Sequence, residues 1–181
     1  MRLRNVHSIA ASTDSVGIYQ GVYRNTPVVV KRIRTQGSGD EAQSERLEDF
    51  QREVSLAKFF SDLGRGPKFL GITEIRNKDF GIVFEKVPDS WFVGLPNEPG
   101  NGVAMARLYA EASIRKLWVK EIQEIGELLD ANYLYTPNPQ FLLTPQGQVY
   151  LIDFGNYRRN IFDSLPKSVQ PHIDEIIAQF R

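Results

Sequence analysis

Five strand patterns and one helical pattern fill the first half of the chain, and their order restricts how it can fold. Residues 18–23 and 28–33 are rich in β-branched and aromatic side chains, and residues 7–13 alternate more weakly ahead of them. Two similar segments follow at residues 69–72 and 80–84. Strands that follow one another through short turns usually pair as antiparallel neighbours. The order therefore predicts a five-stranded antiparallel unit with one helix inserted after the third strand.

The inserted helix is predicted over residues 45–60, after a polar loop at residues 35–45. Its apolar stripe consists of Leu47, Phe50, Val54 and Ala57. Glu53 lies at the edge of that stripe, and Lys31 interrupts the apolar run of the third strand. A solvent-facing lysine and an exposed glutamate are the common arrangements for such residues. If the helix packs on the sheet, the alternative is that Lys31 and Glu53 pair with each other.

The second half of the chain is predicted to be mainly helical. Its longest helical pattern covers residues 103–130, and Ala112 marks a candidate break. Residues 89–102 lack periodicity and residues 133–140 are interrupted by proline, which favours loops at both places. A last helix is predicted to start at Pro171, because proline is favoured at the first helical position.

A predicted hairpin places a carboxylate where a strand ends. Residues 141–144 and 149–153 are its strands, and Asp153 is followed by Phe154 and Gly155. An aspartate in this position suits Mg²⁺ held against phosphates, because Mg²⁺ takes one or two carboxylates and completes its shell from phosphates and water. A strand that stops at an aspartate-containing turn is the simpler interpretation, since a tripeptide match alone is weak.

Composition argues against several other kinds of site. The 22 basic and 22 acidic residues cancel, so a mainly electrostatic nucleic-acid binder is not expected. The chain has no cysteine and only two histidines, His7 and His172, which argues against disulfides, zinc sites and histidine-based triads. No run is apolar for long enough to predict a membrane span. The 181 residues suit one domain or two small lobes, and a cytoplasmic location is expected.

Taken in order, these parts resemble the protein-kinase superfamily over nearly the whole chain. Residues 28–31 resemble its strand-borne lysine motif, and Glu53, 22 residues after Lys31, falls at the position of its helix glutamate. Residues 141–155 resemble the strand pair that leads from the catalytic loop to Asp-Phe-Gly. Residues 17–31 are most similar to the tyrosine-kinase-like branch, which includes cell-death pseudokinases.

The resemblance implies an α+β, two-lobed kinase-like fold. Residues 1–87 would form a five-stranded antiparallel N-lobe with one helix, and residues 88–181 a truncated, mainly helical C-lobe. Phe84 would be the gatekeeper beside the adenine site, and Glu85 to Val87 the hinge that meets adenine.

The resemblance also implies ATP and Mg²⁺ as ligands. Lys31 would contact the α- and β-phosphates and be oriented by Glu53, and Asp153 would bind the Mg²⁺ that bridges the phosphates. Gly17 would belong to the phosphate-covering loop, and Gln140 would occupy the position of a second metal ligand.

The chain departs from the family at the positions that perform the chemistry. Tyr135 falls where the catalytic-loop aspartate belongs, and tyrosine side chains are poor proton acceptors at neutral pH. Tyr133 replaces the histidine of that motif, and Gln140 replaces an asparagine. Of the expected three glycines of the phosphate loop only Gly17 remains; the other two positions are Ser12 and Asp14.

Two functions from different classes follow from the resemblance. The first is an Mg-ATP-binding pseudokinase that acts through interaction with an unknown protein partner, which fits the changes at Tyr135 and Gln140. The second is an atypical minimal kinase that transfers the γ-phosphate of ATP to a protein Ser, Thr or Tyr, which fits the presence of Lys31, Glu53 and Asp153. Transfer of a nucleotide or another group is a variant of the second function.

The chain also resembles reduced kinases in size. The 26 residues after Gly155 contain neither the family's activation-segment motif nor its helical substrate platform. In its reduced size the chain is similar to minimal kinases among bacterial effectors. This similarity implies the cytosol of a host cell as an alternative location.

Overall fold

The computed structural model describes residues 1, 3–9, 16–33, 40–75, 79–159 and 168–181. The chain divides into two compact units, Met1–Lys86 and Val87–Arg181. Each unit has its own sheet and its own buried core. The lobe limits expected from the sequence, residues 1–87 and 88–181, stay a prediction.

An antiparallel five-stranded sheet forms most of the first unit. Its strands are β1 (Arg4–Ser8), β2 (Val16–Tyr23), β3 (Thr26–Ile33), β4 (Phe69–Glu74) and β5 (Phe80–Glu85). They lie in the order β1-β2-β3-β5-β4, and every neighbouring pair is antiparallel. One helix, α1 (Asp40–Asp62), connects β3 to β4. The five strands and the inserted helix confirm the predicted order, but the first strand is Arg4–Ser8 and not residues 7–13, of which 10–13 lie outside the described residues.

The two faces of β3 have different neighbours, because successive side chains of a strand point to opposite sides of the sheet. Val28 and Val30 form a buried cluster with Val83 of β5 on one face. Lys31 faces the other way, where its side chain meets Glu53 of α1. The alternation of β3 therefore directs one charged side chain toward the helix.

Helix α1 begins earlier than the sequence predicted. The loop expected over residues 35–45 is wrong from Asp40 onward, because the helix already includes residues 40–45. These residues carry no apolar stripe, but glutamate, alanine and glutamine are good helix formers. Residues 35–39 lie outside the described part of the chain.

The second unit combines helices with short strands. Its elements are β6 (Trp91–Val93), α2 (Val103–Tyr109), α3 (Ala112–Ala131), β7 (Leu134–Tyr135), β8 (Gln140–Leu143), β9 (Val149–Ile152), β10 (Arg158–Arg159) and α4 (Gln170–Ala178). Strands β6, β8 and β9 form one sheet, and β7 pairs with β10. The β8–β9 hairpin, the interruption between α2 and α3, and the last helix all confirm the sequence predictions.

Two of the loops predicted in this unit contain strands instead. Trp91–Val93 pairs with β8 inside the expected loop at residues 89–102, and Leu134–Tyr135 pairs with β10 inside the expected loop at residues 133–140. Strands of two or three residues are too short to show a period of two. Their pairing partners lie far along the chain, so no local pattern indicates them.

Trp118 of α3 lies at the centre of the second core. Its side chain is fully buried, and its ring contacts the rings of Trp91 and Phe180 at centroid distances of 5.8 and 6.1 Å. The indole Nε1 donates a hydrogen bond to the carbonyl oxygen of Thr144 at 2.9 Å. This bond satisfies the one polar atom of the ring and ties α3 to the end of β8.

Helices α3 and α4 approach closely at a glycine. A Cβ placed on Gly126 of α3 would lie 2.8 Å from Cγ1 of Ile173, a fully buried residue of α4. The absence of a side chain at Gly126 therefore allows α4 to pack directly on the backbone of α3. None of the helices among the described residues combines the length and apolar composition needed to cross a membrane.

Replacing Gly126 with valine should destabilise the second unit by overpacking the α3–α4 contact. We expect Gly126→Val to lower the free energy of unfolding by about 2 kcal/mol relative to Glu127→Val, measured by urea denaturation. Glu127 is the exposed neighbour in the same helix, so Glu127→Val introduces the same β-branched side chain without the clash. Equal stability of the two variants would contradict the close packing.

Candidate functional site

A buried ion pair joins the sheet and the helix of the first unit. The Lys31 ammonium lies 2.5 Å from Oε1 of Glu53, and the two residues are 8% and 4% exposed. Of the two arrangements that the sequence allowed, the structure shows the pair and not two solvent-facing side chains. Because buried charges need partners, Glu53 stabilises an ammonium at this depth.

The register of the sheet places two further predicted residues relative to Lys31. Ile18 lies opposite Lys31 and Gly17 opposite Arg32, so buried Gly17 is on the strand next to the ammonium-bearing residue. Glu85 lies opposite Val28, about 10 Å along the sheet from Lys31 at the usual strand rise. Ser12 and Asp14, the other predicted loop positions, lie outside the described residues.

The hinge candidates Glu85 and Val87 already make hydrogen bonds. The backbone N–H of Glu85 donates to the Lys68 carbonyl oxygen at 2.9 Å, and its carboxylate pairs with the Lys68 ammonium at 3.2 Å. The Val87 carbonyl oxygen accepts a hydrogen bond from the Ser90 hydroxyl at 3.1 Å. These bonds fix the backbone on both sides of Lys86.

In the second unit, the hairpin brings Asp153 and Gln140 to the same end of a sheet. Gln140 is the first residue of β8 and lies opposite Ile152, the last residue of β9, so Asp153 follows directly beyond this pair. Asp153 adopts a left-handed backbone conformation, with φ 56° and ψ 70°. Such a conformation is costly for a residue with a side chain, and it is frequent at functional sites.

Tyr157 is a buried neighbour of Asp153. Its side chain is fully buried, and its ring contacts that of Phe154 at a centroid distance of 5.9 Å. Burial, and in addition the negative charge of Asp153, raise the pKa of the Tyr157 phenol well above its ordinary value. Among the described residues the hydroxyl has no hydrogen-bond partner, so the phenol remains neutral beside the carboxylate.

The donor atoms at this end of the hairpin suit a hard cation. Asp153 offers carboxylate oxygens and Gln140 an amide oxygen, and both side chains are half-buried. No cluster of three or more His, Cys, Asp or Glu side chains able to hold a metal occurs in the described parts of the chain. A cation at Asp153 would therefore need further oxygens from a ligand such as a phosphate, which is how Mg²⁺ binds in phosphoryl-transfer sites.

Tyr135 lies beside a histidine that the sequence did not single out for catalysis. The Tyr135 hydroxyl is 3.4 Å from Nε2 of His172, and the two ring centroids are 6.1 Å apart. Tyr135 belongs to β7 and His172 to the first turn of α4, and the two residues are 37 positions apart in the chain. No local pattern links them, so only the packing of α4 reveals the pair.

The segment between Tyr135 and Gln140 is fixed at several points. Tyr135 lies opposite Arg158 in the β7–β10 pair, and the next residue, Thr136, is fully buried. The backbone N–H of Asn138 donates to the Thr136 hydroxyl at 3.3 Å, and its side-chain amide donates to the Glu98 carboxylate. Strand pairing, burial and hydrogen bonds thus hold the backbone that carries Tyr135 and Gln140 in place.

Comparison with known proteins shows the fold and no more. No protein-family model matches the sequence, and no curated protein matches it. A solved structure, the crystal structure of a kinase domain, matches with a TM-score of 0.56 and 15% sequence identity. The match covers 91% of this chain and 55% of that chain, so this chain spans about half the length of the matching protein.

This match confirms the predicted two-lobed, kinase-like α+β fold. At 15% identity it shows neither an activity nor a branch of the superfamily, so the likeness to the tyrosine-kinase-like branch stays a prediction. The assignments of Lys31, Glu53, Gly17, Glu85, Val87, Tyr135, Gln140 and Asp153 to nucleotide, metal or catalysis also stay predictions.

Removing one member of the buried ion pair should destabilise the first unit. We expect Glu53→Ala to lower the free energy of unfolding by about 3 kcal/mol, because Lys31 loses its carboxylate partner. The double variant Lys31→Met, Glu53→Leu should recover most of this loss, since it removes both charges and keeps the volume. Urea denaturation of the single and double variants measures both effects, and a single variant as stable as the wild type would contradict them.

Proposed function

We propose that this protein binds Mg-ATP through its kinase-like fold and acts as a pseudokinase, by interaction with a protein partner. The observation that supports nucleotide binding is the buried Lys31–Glu53 ion pair. A lysine oriented by a glutamate on the neighbouring helix is the arrangement that contacts the α- and β-phosphates in protein kinases. Burial of two charges adds little to stability by comparison with apolar packing, so a ligand is a physical reason to keep them.

Within the second unit, two residues fit the Mg²⁺ that this proposal requires. Asp153 and Gln140 provide oxygen donors at one end of the β8–β9 hairpin. When bound, Mg²⁺ would neutralise phosphate charge there. In this proposal Asp153 is the principal ligand, and Gln140 contributes a neutral amide oxygen.

The pseudokinase assignment rests on what is missing near these residues. The catalytic-loop aspartate of the family is replaced by Tyr135, and the second metal ligand, an asparagine, by Gln140. Loss of a general base typically slows a reaction by about two to four orders of magnitude. A domain that binds nucleotide and turns it over this slowly is suited to a role in protein interaction.

Transfer of the γ-phosphate to a protein is the second candidate function, and one observation favours it. The Tyr135 hydroxyl lies 3.4 Å from the imidazole of His172, so the residue at the aspartate position has a basic neighbour. Phosphoryl transfer depends mainly on positioning and charge neutralisation, so loss of the base slows the reaction without abolishing it.

Mg-ATP binding should depend on Lys31 and Asp153. We expect Lys31→Met and Asp153→Ala each to weaken Mg-ATP affinity about tenfold or more, because each removes a charge-assisted contact to phosphate or metal. Isothermal titration calorimetry measures the affinity. The exposed pair Lys58 and Asp62 of α1 supplies matched controls, Lys58→Met and Asp62→Ala, which should bind as the wild type does. Wild-type affinity in both site variants would disprove the site assignment.

Phosphate transfer is tested with ATP labelled on the γ-phosphate. For a pseudokinase we expect neither protein label nor ADP above the level of the Asp153→Ala variant. Label or ADP above that level would instead support the second candidate function.

A further inference from the structure

We propose that Tyr135 and His172 form a proton relay that replaces the missing aspartate during phosphoryl transfer. The inference rests on the second candidate function, transfer of the γ-phosphate to a hydroxyl group. Its structural basis is the approach of the Tyr135 hydroxyl to Nε2 of His172 at 3.4 Å. Both side chains are half-buried, so they combine a protected contact with access for a substrate hydroxyl.

The chemistry of the two side chains is complementary. Phenols take up a proton poorly at neutral pH, whereas imidazole is the side chain best suited to do so. Tyr135 can accept a proton on its oxygen only if its own proton leaves at the same time. His172 provides the acceptor for that proton, so the relay avoids both a phenolate and a doubly protonated phenol.

Transfer through this relay forms one bond to phosphorus and breaks another. The oxygen of the acceptor hydroxyl forms a bond to the γ-phosphorus, and the bond from that phosphorus to the β–γ bridging oxygen breaks. The electron pair of the broken bond leaves with ADP. The hydroxyl proton moves to the Tyr135 oxygen, and the Tyr135 proton moves to Nε2 of His172, which becomes an imidazolium ion and later releases the proton to water.

The relay requires a particular tautomer of the His172 ring. Nδ1 of His172 is buried and has no hydrogen-bond partner among the described residues. A neutral imidazole carries one hydrogen, and the relay requires it on Nδ1. Nε2 then offers its lone pair to Tyr135, with no second hydrogen-bond partner in the described chain competing for the ring.

The position of His172 is fixed by the end of α3. The Asp130 carboxylate accepts hydrogen bonds from the Val169 backbone N–H at 2.9 Å and from the Ser168 hydroxyl, directly before α4. The His172 N–H donates to the Val169 carbonyl oxygen at 3.0 Å, and Ile173 is fully buried against α3. Because His172 reaches a substrate only through Tyr135, it is a positioning residue in this scheme.

The test compares turnover of Mg-ATP by the wild type with Tyr135→Phe, His172→Ala and the double variant, following ADP release and labelling of the protein. If the wild type transfers phosphate, as the second candidate function requires, His172→Ala and Tyr135→Phe should each lower kcat about 100-fold, with KM for ATP unchanged. The double variant should lose no more than either single variant, because the two residues act as one unit. Free imidazole should restore part of the turnover of His172→Ala.

Controls separate this role from a structural one. His7, the other histidine, is exposed on β1 in the first unit, so His7→Ala should leave turnover unchanged. If His172→Ala does not fold, His172→Gln preserves a polar side chain but takes up no proton, and it should show the same loss. A readout independent of activity is the ¹⁵N spectrum of the imidazoles, in which Tyr135→Phe should shift His172 and leave His7 unchanged.

The outcomes distinguish the relay from the function on which it rests. Turnover that is unaffected by His172→Ala, or independent losses that multiply in the double variant, would overturn the relay and leave phosphoryl transfer standing. No turnover by the wild type above Asp153→Ala would overturn both. Loss of turnover in His172→Ala without rescue by imidazole and with an increased KM would assign His172 a structural role and reject the relay.

Discussion

The first unit depends on the burial of a single ammonium group. Lys31 lies on the face of β3 opposite the Val28–Val30 cluster, where the Glu53 carboxylate compensates its buried charge. The pair therefore fixes which side of α1 meets the sheet, since turning the helix would move the carboxylate away. Fully buried Ala57 and Phe60 follow Glu53 along that helix at helical spacing. One electrostatic requirement and one apolar stripe thus specify the same packing.

In the second unit, backbone contacts between helices and strands specify the packing. The β8–β9 hairpin carries Gln140 and Asp153 to one end, and the bond from Trp118 to Thr144 anchors the opposite end of β8 to α3. Gly126 allows α4 to approach α3, which brings His172 to Tyr135. The side chains that could bind a ligand or take part in a reaction therefore lie on helices and strands or directly beside them. This arrangement suits binding and positioning more than large motion.

The kinase-like fold does not by itself determine the chemistry of this chain. A match at 15% identity over about half of a kinase domain establishes the arrangement of elements, and folds host many functions. Function therefore depends on the side chains that the fold positions. In the proposed function, Lys31, Glu53 and Asp153 keep the charged groups that bind phosphate and metal, whereas Tyr135 replaces the group that takes a proton. Because Tyr135 contacts His172, the replacement of the aspartate by tyrosine need not remove every proton acceptor from this position.

Periodicity in the sequence was sufficient to predict the five strands, the inserted helix, the hairpin and the interruption between α2 and α3, because long elements repeat their apolar side chains. The same pattern offered Lys31 and Glu53 as a pair but left two exposed side chains as the alternative. Only the tertiary structure showed that Lys31 and Glu53 form an ion pair. It also revealed β6, β7 and β10, which are too short to show a period, and the first turn of α1, which has no apolar stripe. Tyr135 and His172 lie 37 residues apart in the chain. Their contact depends on how α4 packs, and a local sequence pattern does not indicate which distant residues come into contact.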